Sequence, residues 1–138
     1  MRYIWMKGGK IYQQTGYKDG SKVITKYKPN NTYIEYNYYI DGSINSITHY
    51  QNGICHNTEG KPSRLLFTSK GWCVSKSWTN YGIYHDYNKP SEIQYFPSGA
   101  VKAEYWYIND RLGRLGNKPA KIFYHPDGSI QEQVWLSL

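Results

Sequence analysis

Residues 89–99 read Lys89-Pro90-Ser91-Glu92-Ile93-Gln94-Tyr95-Phe96-Pro97-Ser98-Gly99, and the stretches at 61–71 and 118–128 follow the same pattern. Each begins with Lys-Pro, continues with alternating apolar positions and ends on a glycine nine residues after the proline. The three prolines are 28 and 29 residues apart. A period of this length predicts a repeat architecture, in which each copy is one supersecondary unit.

Each copy has apolar residues at the third and fifth positions after its proline. An earlier segment shows the same alternation at Ile34, Tyr36 and Tyr38. A period of two predicts a β-strand whose alternate side chains share one face of a sheet. The pairs in the three copies are Leu65 and Phe67, Ile93 and Tyr95, and Ile122 and Tyr124.

A glycine follows each of these strands, and the glycines are spaced 29, 28 and 29 residues apart. Glycine readily takes the left-handed conformation that closes a type I turn with a G1 bulge, so a second strand is expected to fold back after it. Each unit is therefore predicted to be a β-hairpin. The residues that define the repeat are Gly42, Gly71, Gly99 and Gly128 in the turns, and Pro62, Pro90 and Pro119 before the strands.

One hairpin is marginally stable in water, but stacked hairpins cover one another. The sequence therefore predicts an all-β protein, an elongated antiparallel β-meander of stacked hairpin repeats with a period of 28–29 residues and little or no helix. Residues 1–31 are predicted to form a basic N-terminal capping segment or a degenerate first repeat. Residues 32–138 are expected to hold tandem repeats at about 33–61, 62–89, 90–118 and, in part, 119–138.

Two sets of segments resemble a known group of repeats. The runs at 39–44 and 50–56 resemble the MORN-type hairpin repeats of the YwqK-like antitoxin variety. The connections at 56–62, 85–90 and 114–119 are similar to the longer variant found in large DNA viruses and phages. The resemblance covers about residues 33–138 and implies a repetitive β-scaffold that is used for interaction.

The positive charge is concentrated in the first quarter of the chain. The whole sequence has 17 Lys and Arg against 10 Asp and Glu, a net charge of +7. Residues 1–31 contribute seven basic residues and Asp19, or +6. Such a segment is either a solvated basic face or a contact for nucleic acid or another polyanion. Its basic residues are Arg2, Lys7, Lys10, Lys18, Lys22, Lys26 and Lys28.

A tryptophan recurs seven residues after three of the repeat glycines, at Trp78, Trp106 and Trp135, and His49 holds that place in the first unit. One interpretation is a row of large side chains that roofs the hairpin core. The alternative is a row of stacking platforms for sugars, bases or a choline-like cation.

The residue types that carry chemistry are present but do not form a recognisable site. Cys55 and Cys73 are the only cysteines and form no CxxC pair, so neither a disulfide framework nor a zinc site is expected. His56 and His85 recur at equivalent places in the repeat, which favours a structural role in the connection before each proline. We therefore expect no enzymatic activity, no cofactor and no metal.

The leading hypothesis is a non-enzymatic module for protein interaction or self-assembly, with a virus particle as one setting. A small inhibitor, such as an antitoxin or an anti-defence protein, is one alternative, and nucleic-acid binding through the basic, tyrosine-rich N-terminal segment is another. The N-terminus lacks the pattern of a signal peptide, and no apolar run reaches the length of a membrane span. We expect an intracellular, cytoplasmic protein, and its incorporation into a virion is the alternative.

Overall fold

The computed structural model describes residues 1–58 and 60–136, and in these residues the protein is all-β without a helix. Fourteen strands follow one another, and all but the short pair β11 and β12 join one long antiparallel sheet. The predicted all-β meander of consecutive hairpins is therefore confirmed. The strands are β1 (Arg2–Lys7), β2 (Lys10–Gly16), β3 (Lys22–Lys28), β4 (Thr32–Tyr38), β5 (Ile44–Gln51), β6 (Ile54–Cys55), β7 (Arg64–Phe67), β8 (Cys73–Ser77), β9 (Glu92–Tyr95), β10 (Val101–Tyr105), β11 (Tyr107–Ile108), β12 (Arg111–Leu112), β13 (Lys121–Tyr124) and β14 (Ile130–Val134).

The strand order follows the chain without a crossover. It runs from β1 through β5 to β7, β8, β9, β10, β13 and β14, while β6 pairs with β5 beside this path. The outer strands are β1 and β14, so the sheet is open at both ends. Strands contact chiefly their neighbours in the sheet, which makes the stability of each hairpin depend on the hairpins beside it.

The turns at one end of the strands are built alike. In five hairpins the amide of a glycine donates to the carbonyl three residues earlier, at 2.9–3.0 Å. These glycines have φ between 88° and 94°, the left-handed conformation that a G1 bulge requires. The four glycines predicted from the repeat thus occupy matching bends, and an additional one joins β2 to β3. The five are Gly20, Gly42, Gly71, Gly99 and Gly128.

The hairpin of β2 and β3 differs from the later four by one residue in its pairing register. In the hairpin of β4 and β5, Tyr38 pairs with Ile44 but Asn37 pairs with Ser46, which leaves Asn45 without a partner in the register. The hairpins β7/β8, β9/β10 and β13/β14 have an equivalent shift, whereas β2 and β3 pair without one. The hairpin of β2 and β3 therefore has the same glycine turn but lacks the register shift that the other four share.

The pairing register gives the sheet two distinct faces. The front face has a central row that crosses the strands in the order Ile24, Tyr36, Ile47, Leu65, Lys76, Ile93, Glu104 and Ile122. The predicted strand pairs lie on this face. The back face includes small side chains that larger neighbours bury, among them Ser46, Ser75 and Ala103.

The protein exposes more surface than a compact protein of the same mass. Its accessible surface is 8685 Å² for 16.2 kDa, against about 7,500 Å² for a compact monomer of that mass. Few apolar side chains are fully covered, as expected when neither face of a sheet is packed under a second layer. Those in the described residues are Ile34, Ala103, Trp106, Ala120 and Ile122.

Candidate interaction surfaces

The residue after each repeat proline lies at the junction between two units. Ser91, after Pro90, has no exposed surface, and its amide donates to the carbonyl of Tyr105 at 2.9 Å. The carbonyl of Ser91 accepts from the amide of Trp78 at 2.8 Å, so this residue bonds to both neighbouring strands. Ser63 and Ala120, after Pro62 and Pro119, make the equivalent bonds and are also 0% exposed.

The three repeat tryptophans do not form a uniform row. Trp106 is only 4% exposed, Trp78 is half-buried and Trp135 is 52% exposed. The amides of Trp78 and Trp106 donate to the next unit at 2.8 Å, and that of His49 does so at 2.7 Å. The amide of Trp135 meets no acceptor among the described residues. The difference in burial follows from position, because Trp135 lies after the last strand.

Basic side chains cover two of these rings. The guanidinium of Arg114 lies 3.4 Å from the centre of the Trp106 ring, and the amine of Lys89 lies 5.3 Å from that of Trp78. Cations at such distances are attracted to the ring quadrupole. For Trp106 this favours the roof interpretation, whereas Trp135 leaves a platform exposed at the end of the row.

The connections between the hairpins form a second stack, and two histidines link it. The Nδ1 atom of His56 accepts from the amide of Tyr81 at 3.1 Å, and the two rings stack with centres 4.1 Å apart. The Nδ1 atom of His85 accepts from the amide of Asn109 at 3.0 Å. Each histidine thus bonds to the connection of the following unit rather than to the segment before its own proline.

A cleft of about 390 Å³ lies between the first two connections. The lining includes His56, Lys61, Trp78, His85 and Lys89. The adjacent carboxylate of Asp86 accepts from the amides of Asn88 and Lys89, at 2.8 and 3.3 Å, so it closes its own loop. With both histidines also bonded to backbone, the described side chains of the cleft do not form a hydrogen-bonded catalytic triad.

Five of the seven basic residues of segment 1–31 lie on the front face. Lys7 pairs directly with Lys10 across β1 and β2, while Lys22, Lys26 and Lys28 alternate along β3. Directly opposed residues in antiparallel strands share a face. Arg2 lies on the back face, where its guanidinium donates to the Gln13 side chain at 2.8 Å, and Lys18 lies in the turn after β2.

Aromatic rings lie among these lysines. Trp5 and Tyr12 stack at a centroid distance of 5.4 Å and an angle of 10°. The amine of Lys26 lies 5.9 Å from the Tyr12 ring centre, and that of Lys22 lies 5.0 Å from that of Tyr38. We call this part of the front face, on β1 to β4, the lysine–aromatic face. It comprises Trp5, Lys7, Lys10, Tyr12, Lys22, Lys26, Lys28 and Tyr38.

Sequence reasoning placed the lysines and the tyrosines in one segment but did not predict which rings share a face with which lysines. Trp5 and Tyr12 each lie two positions from a lysine of the same strand, and that spacing was the available signal. The two-residue Gly8-Gly9 turn, with φ of 57° and 75°, then fixes which residues of β1 and β2 face each other.

Burial and neighbouring charges shift several pKa values. Burial, together with Lys28 and Lys61, lowers the pKa of His49 below its ordinary value of 6.5. Burial also raises the pKa of Tyr38, and that of Glu92. Burial and a 2.6 Å hydrogen bond to Glu104 raise the pKa of Tyr124 to about 12.

Cys55 and Cys73 are free thiols in the structure, and burial raises the pKa of Cys73. A raised pKa disfavours the thiolate that nucleophilic chemistry needs. No group of three or more His, Cys, Asp or Glu side chains in residues 1–58 and 60–136 could hold a metal ion.

The part of the chain that the structure describes has no helix long and apolar enough to span a bilayer. A comparison with known protein families, characterised proteins and solved structures finds no significant match for this chain.

Proposed function

We propose that the protein is a non-enzymatic interaction module that binds a β-strand of a protein partner, or of another copy, along the outer edge of β14. The observation that carries the proposal is the contrast between Trp106 and Trp135. At equivalent repeat positions, one is 4% exposed and bonded to the next strand, while the other is 52% exposed with a free amide among the described residues.

The edge of β14 has the backbone groups that strand addition requires. The carbonyl of Val134 accepts from the amide of Ala120, so Val134 points its backbone groups inward. Because the backbone groups of successive residues in a strand point in opposite directions, the amides of Gln133 and Trp135 point outward. An added strand would satisfy these donors and cover Ile130 and Trp135, which are both more than half exposed.

The polar groups of the connections also support a role other than catalysis. His56, His85 and Asp86 each accept hydrogen bonds from backbone amides. Groups used in this way order the loops between the hairpins. The resemblance to MORN-type repeats stays a prediction, and it points in the same direction.

The test is a substitution that removes an edge donor and leaves the sheet intact. Proline is tolerated on an edge strand where its nitrogen faces solvent, so Gln133→Pro should fold but block strand addition. Sedimentation velocity over a concentration series measures self-association, and capture from a native extract with mass spectrometry measures other partners. We expect Gln133→Pro to lose an association that the native chain shows.

Tyr17→Ser is a control at a surface away from this edge, because Tyr17, in the turn after β2, is 54% exposed and Trp135 is 52% exposed. It should keep every association of the native chain. A native chain that stays monomeric and captures the same proteins as Gln133→Pro would refute the proposal.

A further inference from the structure

We propose that the lysine–aromatic face binds single-stranded nucleic acid, with the lysines contacting phosphates and the half-buried rings stacking on bases. This second site lies on β1 to β4, on other strands than the β14 edge, and it does not rest on the proposed function. The charge of this face favours a polyanion. The front-face residues of β1 to β5 include five lysines and no carboxylate.

The acidic side chains of this region lie elsewhere. Glu35 pairs with Thr25 and Thr48 on the back face. Asp19 and Asp41 lie in the turns, where each accepts from the amide and the hydroxyl of the serine two residues later. The five lysines therefore have no opposing carboxylate on their own side of these strands.

The arrangement of the rings also favours a nucleic acid. Lys26 and Lys22 lie over Tyr12 and Tyr38, and Trp5 lies parallel to Tyr12. Flat rings on a sheet beside amines match a nucleotide, which has a planar base and a phosphate. Stacking of bases on aromatic side chains is sequence-tolerant, because every base has a π-face.

The size of the lysine–aromatic face fits several linked nucleotides rather than a single one. Lys22 and Lys28 are the ends of β3 and are about 20 Å apart, and four adjacent strands span about 14 Å. In a duplex the base faces are stacked on one another, so only an unpaired strand can use the rings.

A membrane surface fits this face less well. The exposed aliphatic side chains of β1 and β2 are Ile4, Met6 and Ile11, and all three lie on the back face, away from the lysines. Insertion into a bilayer uses apolar and basic groups together. Here the five lysines and these aliphatic side chains are on opposite sides of the sheet.

The test is the binding of a labelled oligothymidine strand, followed by fluorescence anisotropy at several salt concentrations. Five phosphate contacts would give a slope of log K against log salt of about −3.5, from about −0.7 for each contact with a single strand. The double variant Lys7→Gln/Lys26→Gln should weaken binding at low salt and reduce the slope by about 1.4. Arg2→Gln/Lys18→Gln removes the same charge outside the face and should leave the slope unchanged.

The rings need a separate measurement, because lysines alone would attract any polyanion. Trp5→Leu should weaken binding about fivefold to 150-fold, the usual cost of a lost base stack, and leave the salt slope unchanged. Tyr87→Leu, at an exposed aromatic outside both proposed sites, should have no effect. The conservative variant Trp5→Phe should bind the strand but lose the quenching of tryptophan fluorescence that the native protein shows.

Several results would overturn the inference. They are no binding at low salt, an equal loss in both lysine variants, and binding of a duplex as tight as that of the single strand. Tighter binding of phosphatidylserine vesicles would show a membrane surface instead. Unchanged quenching in Trp5→Phe would remove the stacking role even if Trp5→Leu does not fold.

Discussion

The guanidinium of Arg114 lies 3.4 Å from the centre of the Trp106 ring and covers the tryptophan that is most deeply buried. Trp106 and Trp78 occupy equivalent places in two units, but Lys89 lies 5.3 Å from the Trp78 ring and leaves it half-exposed. The planar, weakly hydrated guanidinium can stack on an indole more closely than an ammonium can.

We predict that Arg114→Ala lowers the free energy of unfolding by about 1–2 kcal/mol, because a desolvated cation–π contact is lost and the indole is uncovered. Arg114→Lys should recover only part of this. Urea unfolding followed by tryptophan fluorescence measures both. Arg111→Ala is the control, since Arg111 is exposed on β12. Equal destabilisation by the two alanine variants would show that the stack contributes nothing.

A second prediction concerns Gly82, in the turn that packs against β6. A Cβ atom here would lie 2.8 Å from the Cγ2 atom of Ile54, and the backbone has φ of 82°. Gly53 has φ of 77° but no atom within 4 Å of its Cβ position. Gly53→Ala should therefore cost only the backbone strain, about 1–2 kcal/mol. Gly82→Ala should cost about 1–3 kcal/mol more, because the contact overpacks the site.

Thermal unfolding of the two glycine variants measures this difference. The double variant Gly82→Ala/Ile54→Ala removes the clashing methyl group and should recover the additional loss. If Gly53→Ala and Gly82→Ala unfold at the same temperature, the close approach of the two connections is not a stability constraint.

The third prediction is a dependence of stability on pH that comes from His49. Its pKa is lowered in the folded protein by burial and by Lys28 and Lys61. Because the unfolded chain then binds the proton more readily, the stability that neutral His49 contributes is fully present above about pH 6.5 and is lost as the pH falls towards the folded pKa. We expect a lower urea midpoint at pH 5 than at pH 7.5, a direction that follows from this linkage.

His49→Trp supplies the residue that the later units have at this position and removes the titrating group. The variant should show a smaller change of midpoint between the two pH values. His125→Gln, in the exposed turn after β13, is the control and should keep the native profile. A native profile in His49→Trp would assign the pH dependence to other groups.

The hairpins could be predicted from the sequence, but the contacts between distant residues and the sharing of one face by several strands could not. The spacing of Gly71, Gly99 and Gly128 and the alternation of Ile93 and Tyr95 were enough to predict a meander, because both are local properties of turns and strands. The bond from Tyr81 to His56 joins residues 25 positions apart, and no short-range pattern encodes it. The single face shared by Lys7, Lys10 and Lys22 depends on the register across two turns, which strand patterns alone leave open.

The buried junction residues Ser63, Ser91 and Ala120 have a consequence for how such a chain can change in length. Each bonds to the strand before it and the strand after it through its backbone amide and carbonyl, and each is fully buried; the Ser63 hydroxyl also bonds to Ser77 and Thr79. The backbone part of one junction can therefore be exchanged for that of another. A chain built in this way can gain or lose a whole unit, moving its two ends apart or together by about 10 Å at each step, while its remaining contacts stay as they were.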